Sequence, residues 1–127
     1  MAAIDVVQQT YRAFADNDGA NLGRLLGDTR WVEARGGPYG GTYTGLAEVG
    51  PHVFSRIGED VSQFTAIPDE MLSIGEDRVL ALGHYRGMSR NGPVGIRFGH
   101  LWTVEGERIA HFEQFTDTHE WQKAVTK

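Results

Sequence analysis

Residues 94 to 117, VGIRFGHLWTVEGERIAHFEQFTD, are the stretch of this chain that best predicts its fold. β-Branched and aromatic side chains are frequent in both halves of the stretch, which favours extended strands. Gly106 lies between the halves and can take the positive φ that a tight hairpin turn needs. The stretch therefore predicts two strands joined at Glu105 and Gly106. We expect this hairpin to form the back wall of a pocket, with His100 pointing into it.

Two further strands are predicted immediately before this hairpin. Phe64 to Ile74 and Arg78 to Met88 read as extended segments, separated by short polar turns. Pro68 lies inside the first of them and cannot donate a backbone hydrogen bond, so it predicts a sheet edge, a bulge or a break. The second half of the chain is thus a run of about four strands linked by short turns.

Helical periodicity dominates the first half of the chain instead. Apolar residues at helical spacing predict a first helix over about residues 4–16, and Asp5 with Gln8 has the form of a capping box. A second, shorter helix is predicted around Leu22 to Leu26, closed by Gly27. A third is predicted from Leu46 to Ile57. Pro51 lies within it, so a kink or a late start near Gly50 is expected.

A short strand and a glycine-rich loop separate the second helix from the third. Thr29 to Ala34 is aromatic and β-branched and reads as a strand. The segment from Arg35 to Tyr43 is dense in glycine, but it lacks the Gly-Lys-Ser/Thr ending of a phosphate-binding loop. We expect a mobile loop over a pocket mouth, with Tyr39 or Tyr43 as part of a lid.

The order of these elements predicts an α+β fold with a curved antiparallel sheet and the helices packed on one face. A short C-terminal helix is expected from Thr118, where Asp117 and Glu120 have capping-box spacing. With 127 residues, no repeat and no linker, the chain is expected to form a single domain over residues 1–127.

Composition narrows the function classes. A net charge of −5 without a basic run argues against nucleic-acid binding. No apolar run approaches the roughly 18 residues that a membrane span requires, and no signal peptide is visible at the start of the sequence. The absence of cysteine excludes disulfides and thiolate chemistry. These features lead us to expect a cytoplasmic protein that binds neither membranes nor nucleic acid.

Three motifs carry a family resemblance, and they lie at Tyr11–Phe14 (Tyr-Arg-Ala-Phe), Gly41–Gly45 (Gly-Thr-Tyr-Thr-Gly) and Phe115–Thr118 (Phe-Thr-Asp-Thr). With the element order, they resemble the nuclear transport factor 2-like superfamily over nearly the whole chain. The nearest part is the SnoaL-like group, which includes polyketide cyclases and relatives of ketosteroid isomerase. The resemblance implies a cone-shaped, curved antiparallel sheet with three N-terminal helices on its concave face.

The resemblance also implies catalytic roles for three residues. Ketosteroid isomerase has an oxyanion-donating tyrosine on its first helix, and the matching position here is Tyr11. Its second donor, a carboxylic acid, is matched by His100. Its general base, an aspartate at the end of the first strand, is matched by Glu33, with Ala34 as the alternative register. The catalytic carboxylate of the SnoaL cyclases falls at Gln114, which cannot transfer a proton in the same way.

The chemistry implied is proton abstraction next to a carbonyl group. A carboxylate in an apolar cavity is a stronger base because desolvation raises its pKa, and an oriented phenol or imidazole N–H stabilises the developing enolate. Neither a metal nor another cofactor is expected. The residues expected to line the apolar substrate pocket are Trp31, Tyr39, Tyr43, Phe54, Phe98, Trp102, Phe112 and Gln114.

Each candidate residue also has a structural interpretation. Tyr11 can be a core tyrosine on the buried face of its helix, and Glu33 can point outward to pair with Arg30 or Arg35. Asp117 can be a helix cap or a residue of the site. His52, His84 and His111 are expected on the surface or at an interface, and none belongs to a recognisable metal-binding motif.

Two hypotheses from different classes follow. The first is a small cofactor-independent acid/base enzyme, of isomerase or cyclase type, acting on a hydrophobic small molecule. The second is a non-catalytic module of the same fold that binds a hydrophobic ligand or a protein. The enzyme hypothesis expects Glu33 and His100 to face one enclosed apolar cavity. A cavity filled by Phe and Trp side chains, or Glu33 on the outer face of the sheet, would overturn it. The resemblance further implies a homodimer formed through the outer face of the sheet.

Overall fold

Segments with helical periodicity form helices, and segments with alternating periodicity form β-strands. The computed structural model describes residues 1 to 127. The helices are α1 (Ala3–Ala15), α2 (Gly19–Leu26), α3 (Gly45–Val49), α4 (Ser55–Asp60) and α5 (Thr118–Val125), and a π-helical turn (Gly50–Phe54) joins α3 to α4. The strands are β1 (Arg30–Glu33), β2 (Gly41–Thr44), β3 (Val61–Ile74), β4 (Arg78–Ser89), β5 (Gly92–Glu105) and β6 (Arg108–Thr116).

The six strands form one curved sheet in the order β2-β1-β6-β5-β4-β3. The predicted α+β class is therefore confirmed, as is the predicted hairpin, because β5 and β6 pair antiparallel and Gly106 takes a φ of 61° at the turn. One pair departs from the expected antiparallel order: β1 runs parallel to β6, with Trp31 beside Phe112. The long connection between these two strands allows either direction, so local sequence does not decide it.

Strand β3 shows why Pro68 is tolerated. The strand lies at the edge of the sheet, and its register with β4 shifts between Pro68 and Glu70. An edge strand leaves one side unpaired, and a bulge absorbs a residue that cannot donate to the ladder. The predicted edge or bulge is confirmed.

The ends of the helices follow local side-chain chemistry, with one correction. Asp117 accepts a hydrogen bond from the backbone N–H of Glu120 and caps α5 as predicted. Asp5 is not the N-cap of α1, because the helix begins earlier and the Asp5 carboxylate accepts from the N–H of Ala2. Pro51 falls at the start of the π-helical turn, which is the expected irregularity near Gly50.

The glycine-rich segment contains a strand that the sequence did not reveal. β2 pairs antiparallel with β1, so the expected loop is shortened to residues 35–40. Within it Tyr39 is buried, and its hydroxyl donates to Asp60 at 2.7 Å. Tyr39 is therefore packed into the molecule and is not exposed to solvent.

The helices close the concave side of the sheet. The apolar face of α1, including Val6 and Val7, is fully buried against β3, β4 and β5. On the opposite side of the sheet several large apolar residues remain partly exposed, which leaves that face without a partner in the single chain. No helix has both the length and the apolar composition needed to cross a bilayer.

Candidate active site

Glu33 lies at the end of β1 with its side chain turned into the molecule. Strand alternation places it on the same face as Trp31, and only 4% of its surface is exposed. Its Oε2 accepts a hydrogen bond of 2.8 Å from the indole N–H of Trp31, and Oε1 accepts none from the chain. Burial raises the pKa of Glu33 to about 7, against a smaller lowering by the Trp31 hydrogen bond. The alternative of an outward carboxylate paired with an arginine is wrong.

His100, on β5, is held between two tyrosine hydroxyls. Its Nδ1 lies 2.6 Å from the hydroxyl oxygen of Tyr11 on α1, and its Nε2 lies 2.6 Å from that of Tyr85 on β4. Burial lowers the pKa of His100 well below its usual value, because no carboxylate is close enough to compensate the loss of hydration. The imidazole is therefore neutral, with one nitrogen that donates and one that accepts.

Both ends of this network are hydrogen-bond donors. The indole N–H of Trp102 donates to the Tyr11 hydroxyl at 3.1 Å, and the side-chain amide of Gln114 donates to the Tyr85 hydroxyl at 2.8 Å. The backbone N–H of Ala34 donates to Oε1 of Gln114 at 3.0 Å. This contact fixes which side of the amide faces Tyr85, because only the oxygen can accept from a backbone N–H.

The network consequently contains one more polar hydrogen than its own acceptors can bind. Tyr11, neutral His100 and Tyr85 contribute three hydrogens, but only two contacts join the three groups. In either histidine tautomer one tyrosine O–H is left without an acceptor in the chain. Burial raises the pKa of both tyrosines, so this hydrogen is not lost by ionisation. The arrangement holds one spare hydroxyl donor, which suits an incoming oxygen acceptor.

A narrow cleft next to this network is bordered by Glu33. Its volume is about 10 Å³, roughly the room for one water molecule. Its lining comprises Glu33, Ala34, Gly37, Pro38, Tyr39, Gly40, Gln114, Thr116 and Trp121. Gln114 connects the two parts of the site, since it lines the cleft and also donates to Tyr85.

The expectation of one enclosed cavity shared by Glu33 and His100 is wrong. His100 and Tyr11 do not border the cleft, because aromatic rings fill the interior around them. The imidazole stacks on Phe98 with ring centres 3.8 Å apart. Trp31 stacks on Phe112 at 3.7 Å. The structure thus brings Glu33 and Gln114 together at the cleft and places the His100 network behind them.

The expected pocket residues divide into three groups. Trp31, Phe98, Trp102 and Phe112 are buried in the aromatic interior. Tyr39 and Gln114 border the cleft. Tyr43 and Phe54 are half-buried and lie outside the cleft. The Tyr43 hydroxyl donates to the backbone carbonyl of Tyr39, and the Phe54 ring packs against Trp31.

Two residues of the site were not found from the sequence. Tyr85 lies on β4, where Val79 and Ala81 share its inward face, so strand alternation alone could have placed it inside. Trp121 lies on α5 and borders the cleft, and an aromatic residue on a short terminal helix was the available signal. Neither residue belongs to a motif that marks chemistry.

A larger groove lies elsewhere, between α1 and α2. Its volume is about 280 Å³, and its walls carry polar and charged side chains, among them Arg12, Asp16 and Arg24. No buried ionisable group lies in it. The groove is larger but has no buried ionisable side chain, whereas the small cleft is bordered by the buried carboxyl group of Glu33. We therefore assign the candidate site to the cleft. No group of three or more His, Asp or Glu residues is placed to hold a metal ion.

Comparison with solved structures gives the family. A nuclear transport factor 2-like (NTF2-like) protein from Burkholderia thailandensis E264 is 32% identical, with a TM-score of 0.90, over 100% of this chain and 99% of the other. The chain belongs to the NTF2-like family. TerC, co-crystallised with polyporic acid, is 24% identical over 98% of both chains, with a TM-score of 0.85.

A third similar structure carries the ketosteroid isomerase-like description. It is a hypothetical protein from Catenulispora acidiphila DSM 44928, in complex with trimethylamine, and it is 18% identical over 94% of this chain and 91% of the other. Its TM-score is 0.77. At this identity the likeness concerns the fold alone. No protein-family model and no curated protein sequence matches the chain.

Proposed function

We propose that this protein is a small cofactor-independent enzyme that removes a proton next to a carbonyl group of a hydrophobic molecule, in an isomerisation or cyclisation. The observation that carries the proposal is the environment of Glu33. Its carboxyl group is buried, is bonded through one oxygen only and has a pKa of about 7. A base whose pKa lies near the working pH combines a useful ionised fraction with a strong tendency to take a proton.

The second requirement of such a reaction is a donor for the enolate oxygen. The spare tyrosine hydroxyl of the His100 network supports this part of the proposal. Neutral His100 can pass its N–H to either side, so either Tyr11 or Tyr85 can offer the spare hydrogen. In this proposal His100 acts through the tyrosines, and Tyr85, next to Gln114, is the donor nearest the cleft.

Substrate entry requires the cleft to widen, because about 10 Å³ does not admit an organic molecule. Two of its walls are short peripheral segments: residues 37–40 and helix α5, which contributes Trp121. The inner walls belong to paired strands. We therefore propose that residues 37–40, α5 or both move when a ligand binds. The structure of TerC with polyporic acid supports a small organic ligand for a protein of this fold.

The proposal is tested by proton exchange. A panel of cyclic ketones in D₂O is followed by NMR with the wild type, Glu33→Gln and a control, Glu107→Gln, whose side chain is exposed in the β5–β6 turn. We expect the wild type to exchange protons next to the carbonyl, with a rate that rises up to about pH 7 and then levels. Glu33→Gln should slow exchange about 100-fold or more, and Glu107→Gln should leave it unchanged. Equal rates in all three proteins would remove Glu33 as the base.

The second candidate function is a non-catalytic binding module. The filled aromatic interior favours it, because the rings of Phe98 and Phe112 pack around His100 and leave no enclosed cavity there. A filled interior is the outcome expected of a protein that is not an enzyme. Ligand binding without exchange in any protein, at any pH between 5 and 9, would support this candidate over the enzyme.

A further inference from the structure

The indole nitrogen of Trp121 is the only fully buried side-chain nitrogen or oxygen atom in the chain that has no hydrogen-bond partner. Its side chain is 2% exposed, and its indole N–H meets no acceptor. The other two tryptophans differ, because Trp31 donates to Glu33 and Trp102 donates to Tyr11. Burying a donor without an acceptor is unfavourable, so an unpaired indole N–H in a native protein requires an explanation.

The position of Trp121 gives that explanation. Helix α5 places its ring against Tyr39 and Tyr85 and along the cleft that Glu33 also borders. An unpaired donor and an unpaired acceptor, the Oε1 atom of Glu33, therefore belong to residues that line the same small space. The Asp117 side chain caps the N-terminus of helix α5.

We infer that Trp121 is a ligand-binding residue, whose indole N–H donates to an oxygen atom of the molecule held beside Glu33. The inference rests on the site proposed above and adds a specificity residue to it. A hydrogen-bond donor at this position favours ligands that carry a carbonyl or enol oxygen. In a ketone the oxygen and the carbon that loses the proton are two bonds apart. One molecule can therefore accept from Trp121 while its acidic C–H faces Glu33.

The direct test is the indole N–H signal of Trp121 in ¹H–¹⁵N NMR spectra of the wild type. The chain has three tryptophans, and the signal missing in Trp121→Phe identifies the one of interest. The probes are 1-tetralone and tetralin, which share a bicyclic skeleton but differ in the carbonyl oxygen. We expect 1-tetralone to shift the Trp121 proton downfield and tetralin to leave it unmoved. The indole of Trp102, which is already bonded to Tyr11 outside the cleft, serves as the internal reference, whereas the indole of Trp31 is bonded to Glu33 and can respond to a ligand there.

Affinity provides a second readout that a purely structural role would not produce. Trp121→Phe keeps an aromatic ring against Tyr85 but removes the donor. We expect its affinity for 1-tetralone to fall roughly 5-fold, the usual effect of one neutral hydrogen bond. Its affinity for tetralin should stay within about 2-fold, because packing and not donation decides that contact. Equal losses for both probes would assign Trp121 a packing role and overturn the inference.

The same experiments separate this inference from the proposed function. If the Trp121 signal responds to the ketone but no exchange occurs, the enzyme proposal fails and the Trp121 assignment stands. If exchange occurs while the Trp121 signal is unmoved, the enzyme proposal stands and the assignment fails. If neither 1-tetralone nor tetralin binds, the assignment of Trp121 is overturned.

Discussion

The hydroxyl oxygen of Tyr85 lies 2.6 Å from Nε2 of His100, and the two residues come from adjacent antiparallel strands. The contact gives a buried, neutral imidazole its second partner, since Tyr11 occupies the other nitrogen. With Trp102 and Gln114 donating at the two ends, the network must keep one hydroxyl hydrogen unbonded. A hydrogen-bond network that ends in donors on both sides leaves one donor unsatisfied in a sealed core, but this donor can bind an oxygen atom of a ligand.

Replacement of Glu33 by Gln should change how stability depends on pH. The folded-state pKa of about 7 lies above the ordinary value of 4.5, so the folded protein binds more protons than the unfolded chain between these values. Ionisation of Glu33 should therefore lower the stability of the wild type as the pH rises from about 4.5 to about 7, by on the order of 3 kcal/mol. His100, whose pKa is lowered by burial, acts in the opposite sense below pH 6.5, and it does so equally in the wild type and in the variant. Glu33→Gln should lack this loss.

Urea unfolding at pH 5 and pH 8 measures the effect, and Glu107→Gln is the matched control. A wild type and a Glu33→Gln variant with parallel pH profiles would contradict the buried acid. The decisive quantity is the change in the free energy of unfolding between the two pH values within each protein. The difference between the proteins at one pH is less informative, because the substitution also alters the contact with Trp31.

Removal of either tyrosine hydroxyl from the network should be costly, and the two losses should not add. Tyr85→Phe leaves the amide of Gln114 and one nitrogen of His100 unpaired, and Tyr11→Phe does the same to Trp102 and the other nitrogen. We expect each to lower the free energy of unfolding by about 1–3 kcal/mol. The double variant should lose less than the sum, since the two share His100.

Denaturant titrations of the wild type, the two single variants and the double variant measure these losses in the free energy of unfolding as a double-mutant cycle. Tyr43→Phe serves as the reference, because its hydroxyl bonds only to the backbone of Tyr39, outside the network. Strict additivity of the two losses would show that the tyrosines act independently.

Two glycine-to-alanine changes should have opposite signs. Gly106 has a φ of 61° in the β5–β6 turn, which a side chain disfavours, so Gly106→Ala should lower stability by about 1 kcal/mol. Gly23 lies within α2 with open space around it, so Gly23→Ala should raise stability by up to about 1 kcal/mol. Thermal unfolding of both variants compares the signs directly, and a stabilising Gly106→Ala would contradict the turn geometry.

We propose that two copies of the chain pair through the outer face of the sheet. Leu72, Leu80 and Leu101 are cross-strand neighbours on that face, and Phe115 beside them is 52% exposed. A self-complementary apolar face suits a two-fold dimer. Light scattering at micromolar concentration should give twice the chain mass, and Leu80→Arg should give the monomer mass. A wild type that scatters as a monomer would contradict the proposal, and Glu107→Arg, at a turn, should not change the mass.

The sequence determined the local architecture of this protein. Helices α1 and α2, the four long strands, the Gly106 turn and the Asp117 cap follow from periodicities of 3.6 and 2 and from side chains that bond to nearby backbone. The same local signals predicted the irregularities at Pro51 and Pro68. These features depend on residues within a few positions of one another, which is why the chain alone reveals them.

Only the tertiary structure decided the chemistry of the site. Tyr11 and His100 are 89 positions apart, and no spacing rule joins them. The sequence suggested Glu33 as a base through family resemblance but left open an outward orientation. The parallel register of β1 with β6 and burial against Trp31 turned it inward. Contacts of this kind depend on how distant strands align and on how rings fill the interior. The closed cleft, the spare hydroxyl hydrogen and the unpaired indole of Trp121 therefore emerge only in the folded chain.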